Sequence, residues 1–135
     1  IIQEWINDDR GEFTIAVSMI DKEIKHIQLK RVLEVGSTSY AEVVNNHKIT
    51  ELVYKICENL NSNLAFNIQL RFKKEIPMIF EINPRFSSTV YARHIMGFRD
   101  LAEWISYTLK LKEEIRFDYK LGTKFYRYFS YEVIY

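Results

Sequence analysis

The residues best suited to chemistry are a carboxylate, an amide and a guanidinium at every second position: Glu81, Asn83 and Arg85. In an extended strand, side chains two positions apart lie on the same face. The apolar residues of this stretch would then point the other way, into a core: Phe80, Ile82 and Phe86. A polar row on a strand with an apolar reverse side is typical of a metal and phosphate site on a rigid support.

A second strand is predicted just before this one, because residues 64–72 alternate almost perfectly. One side is apolar (Phe66, Ile68, Leu70 and Phe72) and the other is polar (Asn67, Gln69 and Arg71). The charged connection at residues 73–75 has the length of a hairpin loop. The sequence therefore predicts an antiparallel hairpin that carries polar side chains on one face.

The register of this hairpin follows from its turn. Pairing about Glu75 places position 73 opposite 77, Gln69 opposite Glu81, and Asn67 opposite Asn83. Directly opposed residues have Cβ atoms about 4.5–5.5 Å apart, which is close enough to share a ligand. A shift by one residue would put the two polar sets on opposite faces, so the alternation itself favours this pairing.

Gln, Glu and Asn together suit a hard cation. Mg²⁺ prefers oxygen ligands and is usually held by one or two carboxylates plus substrate phosphates and waters. Glu81 can bridge two ions, while Gln69 and Asn83 each offer a carbonyl oxygen. Arg85 follows Pro84 and is suited to pair with a phosphate or acyl-phosphate oxygen. The alternative is an exposed hairpin face on which these residues meet incidentally, because short motifs often arise by chance.

The sequence of residues 81–87, together with Asn67-Ile68-Gln69, resembles the metal-binding end of ATP-grasp enzymes. It is most similar to the carbamoyl-phosphate synthetase large subunit and related carboxylate–amine ligases. Weaker likenesses extend the match to other segments: residues 2–6, 11–15, 33–38 and 96–104. The resemblance thus covers most of the chain up to about residue 110.

This resemblance implies an activity. ATP-grasp enzymes use ATP to phosphorylate a carboxylate or bicarbonate, and an amine, ammonia or another nucleophile attacks the acyl phosphate. Two Mg²⁺ ions, for which Mn²⁺ can substitute, would lie between ATP and the protein. Glu81 would be the bridging ligand and Gln69 and Asn83 the flanking ligands. Arg85 would stabilise the transferred phosphoryl group or the acyl phosphate.

The resemblance also implies nucleotide contacts outside the motif. Glu12 would reach the ribose or the second metal. Lys30 or Arg31 would replace an Arg-rich segment of many relatives, and the sequence leaves open which of them does so. Some relatives carry a second Arg where this chain has Ser87 or Ser88, so bicarbonate activation in particular does not follow.

Two other functions remain open at this stage. One is a kinase that phosphorylates a hydroxyl with the same Mg·ATP site, since ligase and kinase need the same nucleotide geometry. The other is a non-catalytic remnant that acts as an interaction module. The presence of Gln69, Glu81, Asn83 and Arg85 together argues against the remnant.

The chain opens at Ile1 on what resembles a strand from the middle of a domain. We therefore expect residues 1–135 to be the C-terminal part of an ATP-grasp domain, inactive by itself, whose N-terminal parts belong to a longer parent chain. The expected partners are the rest of that chain, ATP, a small carboxylate and an amine, and a homodimer is also open.

Composition fits a single cytoplasmic domain. Of the 135 residues, 47% are apolar and 15% aromatic, which is ample for a core. The net charge of +1 suggests neither a nucleic-acid nor an anionic-membrane partner. No apolar run is long enough to span a membrane. Cys57 is the single cysteine, so an internal disulfide is excluded, and its helical apolar stripe predicts a buried thiol.

The overall pattern predicts an α+β fold, an antiparallel sheet with helices on one face. The predicted strands cover residues 1–5, 11–20, 24–31, the 64–85 hairpin and an edge strand at 125–135, with a loop at 32–46. Thr50 is predicted to cap a helix over residues 51–61. Asp100 and Glu103 resemble a capping pair for a second helix through Leu111, whose predicted inner face is Leu101, Trp104, Ile105 and Leu109.

Overall fold

A computed structural model describes residues 2–7 and 10–128. The strands of this part are β1 (Glu12–Ile20), β2 (Glu23–Glu34), β3 (Ser37–Val44), β4 (Leu64–Lys73), β5 (Ile76–Asn83) and β6 (Lys124–Tyr126). The helices are α1 (His47–Glu58), α2 (Val90–Ile95) and α3 (Asp100–Thr108). The strands form one sheet in the order β5-β4-β1-β2-β3-β6, and all neighbouring pairs are antiparallel. The predicted α+β class is confirmed.

Tight two-residue turns build the hairpins of the sheet. Asp21 and Lys22 both have positive φ, 49° and 68°, and join β1 to β2 as predicted. This backbone is typical of a turn whose twist matches that of the flanking strands. Val35 and Gly36 repeat it with φ of 48° and 74°, and join β2 to β3. The loop predicted at 32–46 was therefore wrong, because the Val-Gly turn was not recognised.

Alternation along β1 and β4 creates the main core. Residues of odd number in β1 and of even number in β4 pack beneath three residues of α1. The cluster comprises Phe13, Ile15, Val17, Met19, Phe66, Ile68, Leu70, Phe72, Ile49, Val53 and Cys57. Burial raises the pKa of the Cys57 thiol. The prediction of a buried cysteine is confirmed.

The other face of the sheet is also covered, which corrects the prediction that helices lie on one face only. Phe98, between α2 and α3, packs against Ala16, Ile27 and Leu29. Trp104 of α3 donates a hydrogen bond from Nε1 to Ser18 Oγ at 3.0 Å. The sheet is therefore enclosed between α1 and the segment that contains α2 and α3.

The N-terminal caps of two helices differ from the prediction. Asn46, not Thr50, caps α1, because its side chain accepts from the N–H groups of Lys48 and Ile49. Asp100 makes no side-chain cap for α3. It is buried and paired with Arg93 instead.

The surface of α3 also differs from the prediction. Ile105 and Leu109, expected on its inner face, are 48% and 63% exposed. The helix ends at Thr108, before Leu111. No helix in the described ranges is long and apolar enough to cross a membrane.

Near both ends of the described residues, the strands differ from the prediction. Residues 2–7 form no strand. The predicted edge strand at 125–135 is represented by β6, which pairs with β3. The rest of that prediction, residues 129–135, lies outside the described residues.

Replacing the helix cap provides a test of this fold. Asn46→Ala removes the acceptor for two helix N–H groups and should lower the free energy of unfolding by about 1 kcal/mol. Urea unfolding measures the change, with Asn45→Ala, one residue outside the cap, as the matched control. Equal unfolding midpoints for the two variants would contradict the assignment of Asn46 as the cap.

Candidate functional site

The β4–β5 hairpin brings the predicted polar residues together. Gln69 lies opposite Glu81, and Asn67 lies opposite Asn83, as the alternation predicts. Asn67 is buried, and its Oδ1 accepts a hydrogen bond from Thr14 Oγ1 at 2.8 Å. The row is thereby fixed to the central strand β1.

A β-bulge at Phe80 changes the second half of the hairpin. Glu81 pairs with Gln69 and Ile79 pairs with Leu70, so Phe80 is the extra residue. The pairing beyond it shifts by one, and Lys73 faces Ile76 rather than position 77. A bulge of this kind bends the strand and re-aims the side chains beside it.

Three apolar residues that were predicted to enter the core do not lie in it, and the bulge accounts for one of them, Phe80. Phe80 borders a cavity that Glu12 and Arg71 also line, on the same face of the sheet as Glu81. Ile82, at the edge of the sheet, is 48% exposed. Phe86 is half-buried with the Arg93 guanidinium 5.8 Å from its ring centre. The strand therefore offers both its polar row and one aromatic ring to the same side.

The strand also ends earlier than predicted. β5 stops at Asn83, and the N–H of Arg85 donates to the carbonyl of Asn83 at 2.8 Å, which closes a three-residue turn. Pro84, inside this turn, has no N–H to continue the ladder. The exposed side chain of Arg85 donates from Nη1 to the Phe86 carbonyl at 3.2 Å. Arg85 therefore lies in a turn just after the polar row, and not in an extended strand.

Glu12 joins the row to a buried ion cluster. One of its carboxylate oxygens accepts from Arg31 Nε at 2.9 Å, and the other accepts from Arg71 Nη2 at 3.1 Å. Arg31 also donates to the side-chain oxygen of Gln69. Glu12 and Arg31 are only 8% and 9% exposed. A single carboxylate therefore holds two guanidiniums beside the predicted ligands.

The two candidate cations of β2 lie on opposite faces of the sheet. Arg31 pairs across the sheet with Glu12, on the face of Gln69 and Glu81. Lys30 pairs with Phe13, whose side chain is in the core under α1, and is itself exposed. The structure therefore brings Arg31 to the polar row and leaves Lys30 out of it.

The donor set at the edge of the sheet fits a hard cation. Asn83 Nδ2 donates to Glu81 Oε1 at 2.8 Å, so the two side chains are in direct contact and could bind the same ion. Glu81 is exposed and keeps a second carboxylate oxygen for a ligand. Gln69 would have to exchange its contact with Arg31 for one with a metal. Within residues 2–7 and 10–128, no three His, Cys, Asp or Glu side chains converge as a metal cluster, so Glu81 would act with amide oxygens.

A cavity of about 120 Å³ lies beside the polar row, and the sequence did not predict it. Its wall includes Gln3, Trp5, Arg71 and Phe80. The Arg71 guanidinium is 4.4 Å from the centre of the Trp5 ring. The sequence does show an aromatic residue, Phe80, next to Glu81. The bulge that places Phe80 in the wall of the cavity could not be predicted from the alternation.

Comparison with known proteins assigns the chain to a family. Residues 9–123 match the model of a family described as ATP-grasp in the biosynthetic pathway with Ter operon. The chain belongs to this ATP-grasp family.

Two solved structures are similar in fold. One is the carboxyaminoimidazole ribonucleotide synthase from Asperigillus clavatus complexed with ATP, with a TM-score of 0.61 and 17% identity. The match covers 80% of this chain and 31% of that one. The other is a putative ATP-grasp superfamily protein from Archaeoglobus fulgidus, with a TM-score of 0.58, 15% identity and coverage of 90% and 39%. No curated protein matches the sequence. The chain spans about a third of the length of these structural relatives.

The ion cluster makes a prediction about stability. Glu12→Gln leaves two largely buried guanidiniums without a counter-charge, so it should lower the free energy of unfolding by about 3 kcal/mol. Urea unfolding measures the loss. The control is Glu4→Gln, because Glu4 pairs with Lys73 between side chains that are 65% and 53% exposed. Such surface pairs contribute about 0–1 kcal/mol. Similar losses in the two variants would show that Glu12 does not hold the cluster.

Proposed function

We propose that the full-length protein is an ATP-dependent ligase that activates a carboxylate as an acyl phosphate for attack by an amine or ammonia. In this proposal the chain is the C-terminal part of the ATP-grasp domain and supplies one side of the Mg·ATP site. Membership of the ATP-grasp family and the likeness to an ATP-complexed synthase support it.

The observation that carries the proposal is the pairing of Gln69 with Glu81 and of Asn67 with Asn83 on one face, beside Arg31. An incidental surface row would have no reason to be attached to a buried ion cluster. The cluster fixes the positions of side chains on three neighbouring strands, β1, β2 and β4. Phosphoryl transfer depends mostly on such positioning and on charge neutralisation.

Glu81 and Asn83 are the residues that would hold the metal, with Gln69 as the third ligand. When bound, Mg²⁺ or Mn²⁺ would neutralise charge on the β- and γ-phosphates of ATP. We propose two ions, as in the family resemblance, with Glu81 between them. The exposure of Glu81 suits this role, because a ligand can reach its carboxylate from solvent.

Arg85 and Arg31 would act on the phosphate. Arg85 extends from the turn after Asn83 with an exposed side chain, so its guanidinium can meet the transferred phosphoryl group or the acyl phosphate. Arg31 is held by Glu12 and Gln69 and can approach phosphate only near Gln69. Lys30 has no part in this proposal, because it lies on the other face.

The cavity beside the row suits the base of the nucleotide. Trp5 and Phe80 give it apolar walls, and Arg71 gives it a cation beside Glu12. Planar aromatic side chains bind a planar base through stacking. We propose that the base lies here, and that Glu12 would contact the ribose by exchanging one of its bonds to Arg31 or Arg71.

The likeness to the carbamoyl-phosphate synthetase large subunit extends to the Mg·ATP residues only. Ser87 or Ser88 stands where some of those relatives carry a second Arg; Ser87 is buried and hydrogen-bonded to Arg93, and Ser88 is exposed. Neither serine offers a cation to a second anion. We therefore propose a small organic carboxylate, rather than bicarbonate, as the group that ATP activates.

Product analysis tests this function. The full-length protein is incubated with Mg·ATP, a panel of small carboxylates and an amine mixture, and phosphate release and products are measured. A ligase forms a stable amide together with phosphate and ADP. A phosphorylated alcohol would instead show a kinase, and absence of ATP consumption with every substrate would favour a non-catalytic module.

The metal ligand makes the first prediction for catalysis. Glu81→Gln keeps the shape of the side chain but removes its charge, so ATP turnover should fall to background while the fold is kept. Phosphate release and thermal unfolding measure the two effects. Glu58→Gln, an exposed carboxylate on α1, is the control and should keep full activity. Near-normal turnover in Glu81→Gln would refute the metal assignment.

Arg85 makes the second prediction. Arg85→Ala should lower kcat by about 100-fold, the usual cost of removing one donor that stabilises transition-state charge. KM for ATP should change little, because the guanidinium acts on the group in transfer. A rise in KM with unchanged kcat would assign Arg85 to nucleotide binding instead.

A further inference from the structure

A buried polar cluster lies just beyond the predicted metal ligands, and the proposed mechanism does not use it. Arg93 of α2 and Asp100 of α3 are each only 1% exposed. Arg93 donates to both Asp100 oxygens, from Nε at 3.0 and 2.9 Å and from Nη2 at 2.7 Å. Its Nη1 donates to Ser87 Oγ at 3.0 Å and to Thr89 Oγ1 at 3.3 Å.

The bonds of Arg93 reach the loop that carries Arg85. Residues 84–89, here called the 84–89 loop, contain Ser87 and Thr89, whose hydroxyl oxygens are 2.8 Å apart. The loop is neither helix nor strand, so no ladder fixes it. Backbone hydrogen bonds hold its two ends, from the Arg85 N–H to the Asn83 carbonyl and from the Val90 N–H to the Ser87 carbonyl, and the side-chain contacts of Ser87 and Thr89 hold the part between them.

A second arginine holds the far side of this loop. Arg127, next to β6, donates from Nη2 to the Ser88 carbonyl at 3.0 Å. Its own N–H donates to the Ser39 carbonyl of β3 at 2.8 Å. The 84–89 loop thus runs from the β5 edge of the sheet to contacts at β3, with Arg93 at its buried centre.

Stability alone is a weak account of the Arg93–Asp100 pair. Taking two charges out of water costs several kcal/mol per ion, and apolar residues of similar volume often stabilise as well or better. A forked guanidinium, however, bonds several acceptors in fixed directions. Here the fork connects α3, through Asp100, to two residues of the 84–89 loop.

We propose that Arg93 is a positioning residue for phosphoryl transfer, which holds the 84–89 loop so that Arg85 reaches the transferred group. This inference rests on the proposed function. Displacement of a catalytic group by about 1 Å can cost about 100-fold in rate. Loss of the Arg93 contacts should therefore lower kcat more than it raises KM for ATP.

Two variants test the proposal in the full-length protein, with Mg·ATP and the carboxylate and amine panel described above. Ser87→Ala removes the contacts of the Ser87 hydroxyl with Arg93 and Thr89, leaves the ion pair, and should lower kcat about tenfold. Arg93→Lys keeps the charge but loses the fork, and should lower kcat about 100-fold. KM for ATP should stay within about twofold in both, because the loop does not hold the nucleotide.

A matched control separates positioning from general effects of arginine replacement. Arg99 also pairs with an aspartate, Asp118, at 2.8 Å, but this pair is exposed and is not bonded to the 84–89 loop. Arg99→Lys should keep kcat within about twofold. If Arg93→Lys does not fold, as thermal unfolding would show, Ser87→Ala carries the test alone.

The outcomes are distinct. A fall in kcat without a matching rise in KM, in Ser87→Ala but not in Arg99→Lys, supports the positioning role. Normal kcat in a folded Ser87→Ala, beside an active unmodified protein, overturns it and leaves the proposed function intact. An unmodified protein that consumes no ATP overturns both.

Discussion

Glu12 lies at the start of the central strand β1, where its carboxylate is largely buried between two guanidinium groups. Arg31 comes from β2 on one side and Arg71 from β4 on the other. Each arginine would be costly to bury alone, and the shared carboxylate makes the arrangement tolerable. Because Arg31 also holds Gln69, the polar row depends on this one charge. The same interaction thus connects the stability of the sheet to the placement of the proposed ligands.

Two irregular features of β5, at the edge of the sheet, shape the candidate site. The bulge at Phe80 directs an aromatic ring toward the cavity, while Glu81 stays opposite Gln69. The turn after Asn83 carries Arg85 away from the strand. A regular strand would have placed Arg85 in line with the ligands, whereas the observed turn leaves its side chain exposed to meet a substrate. The irregular features of β5 are therefore the ones that make the row accessible to a ligand.

Strand periodicity predicted much of this arrangement, because a period of two fixes which side chains share a face. The pairing of Gln69 with Glu81 followed from it. The bulge did not, because residues 76–80 are all apolar and show no alternation in which an extra residue would shift the phase. Asp100 was misread as a helix cap because its partner Arg93 is close only in the folded chain. The roles of the site residues came from a family resemblance, and alternation alone could not have distinguished Arg31 from Lys30 without the register of β2.

The most direct test of the account is calorimetric titration of the full-length protein with ATP, in Mg²⁺ and in excess chelator, beside its Glu81→Gln variant. The account predicts binding that requires the metal and weakens at least about tenfold in the variant, since Glu81 is the one carboxylate among the proposed ligands. ATP binding that is equally strong in the variant, or that is unaffected by the chelator, would contradict the assignment of the metal site. Absence of ATP binding by the unmodified protein would contradict the proposed function as a whole.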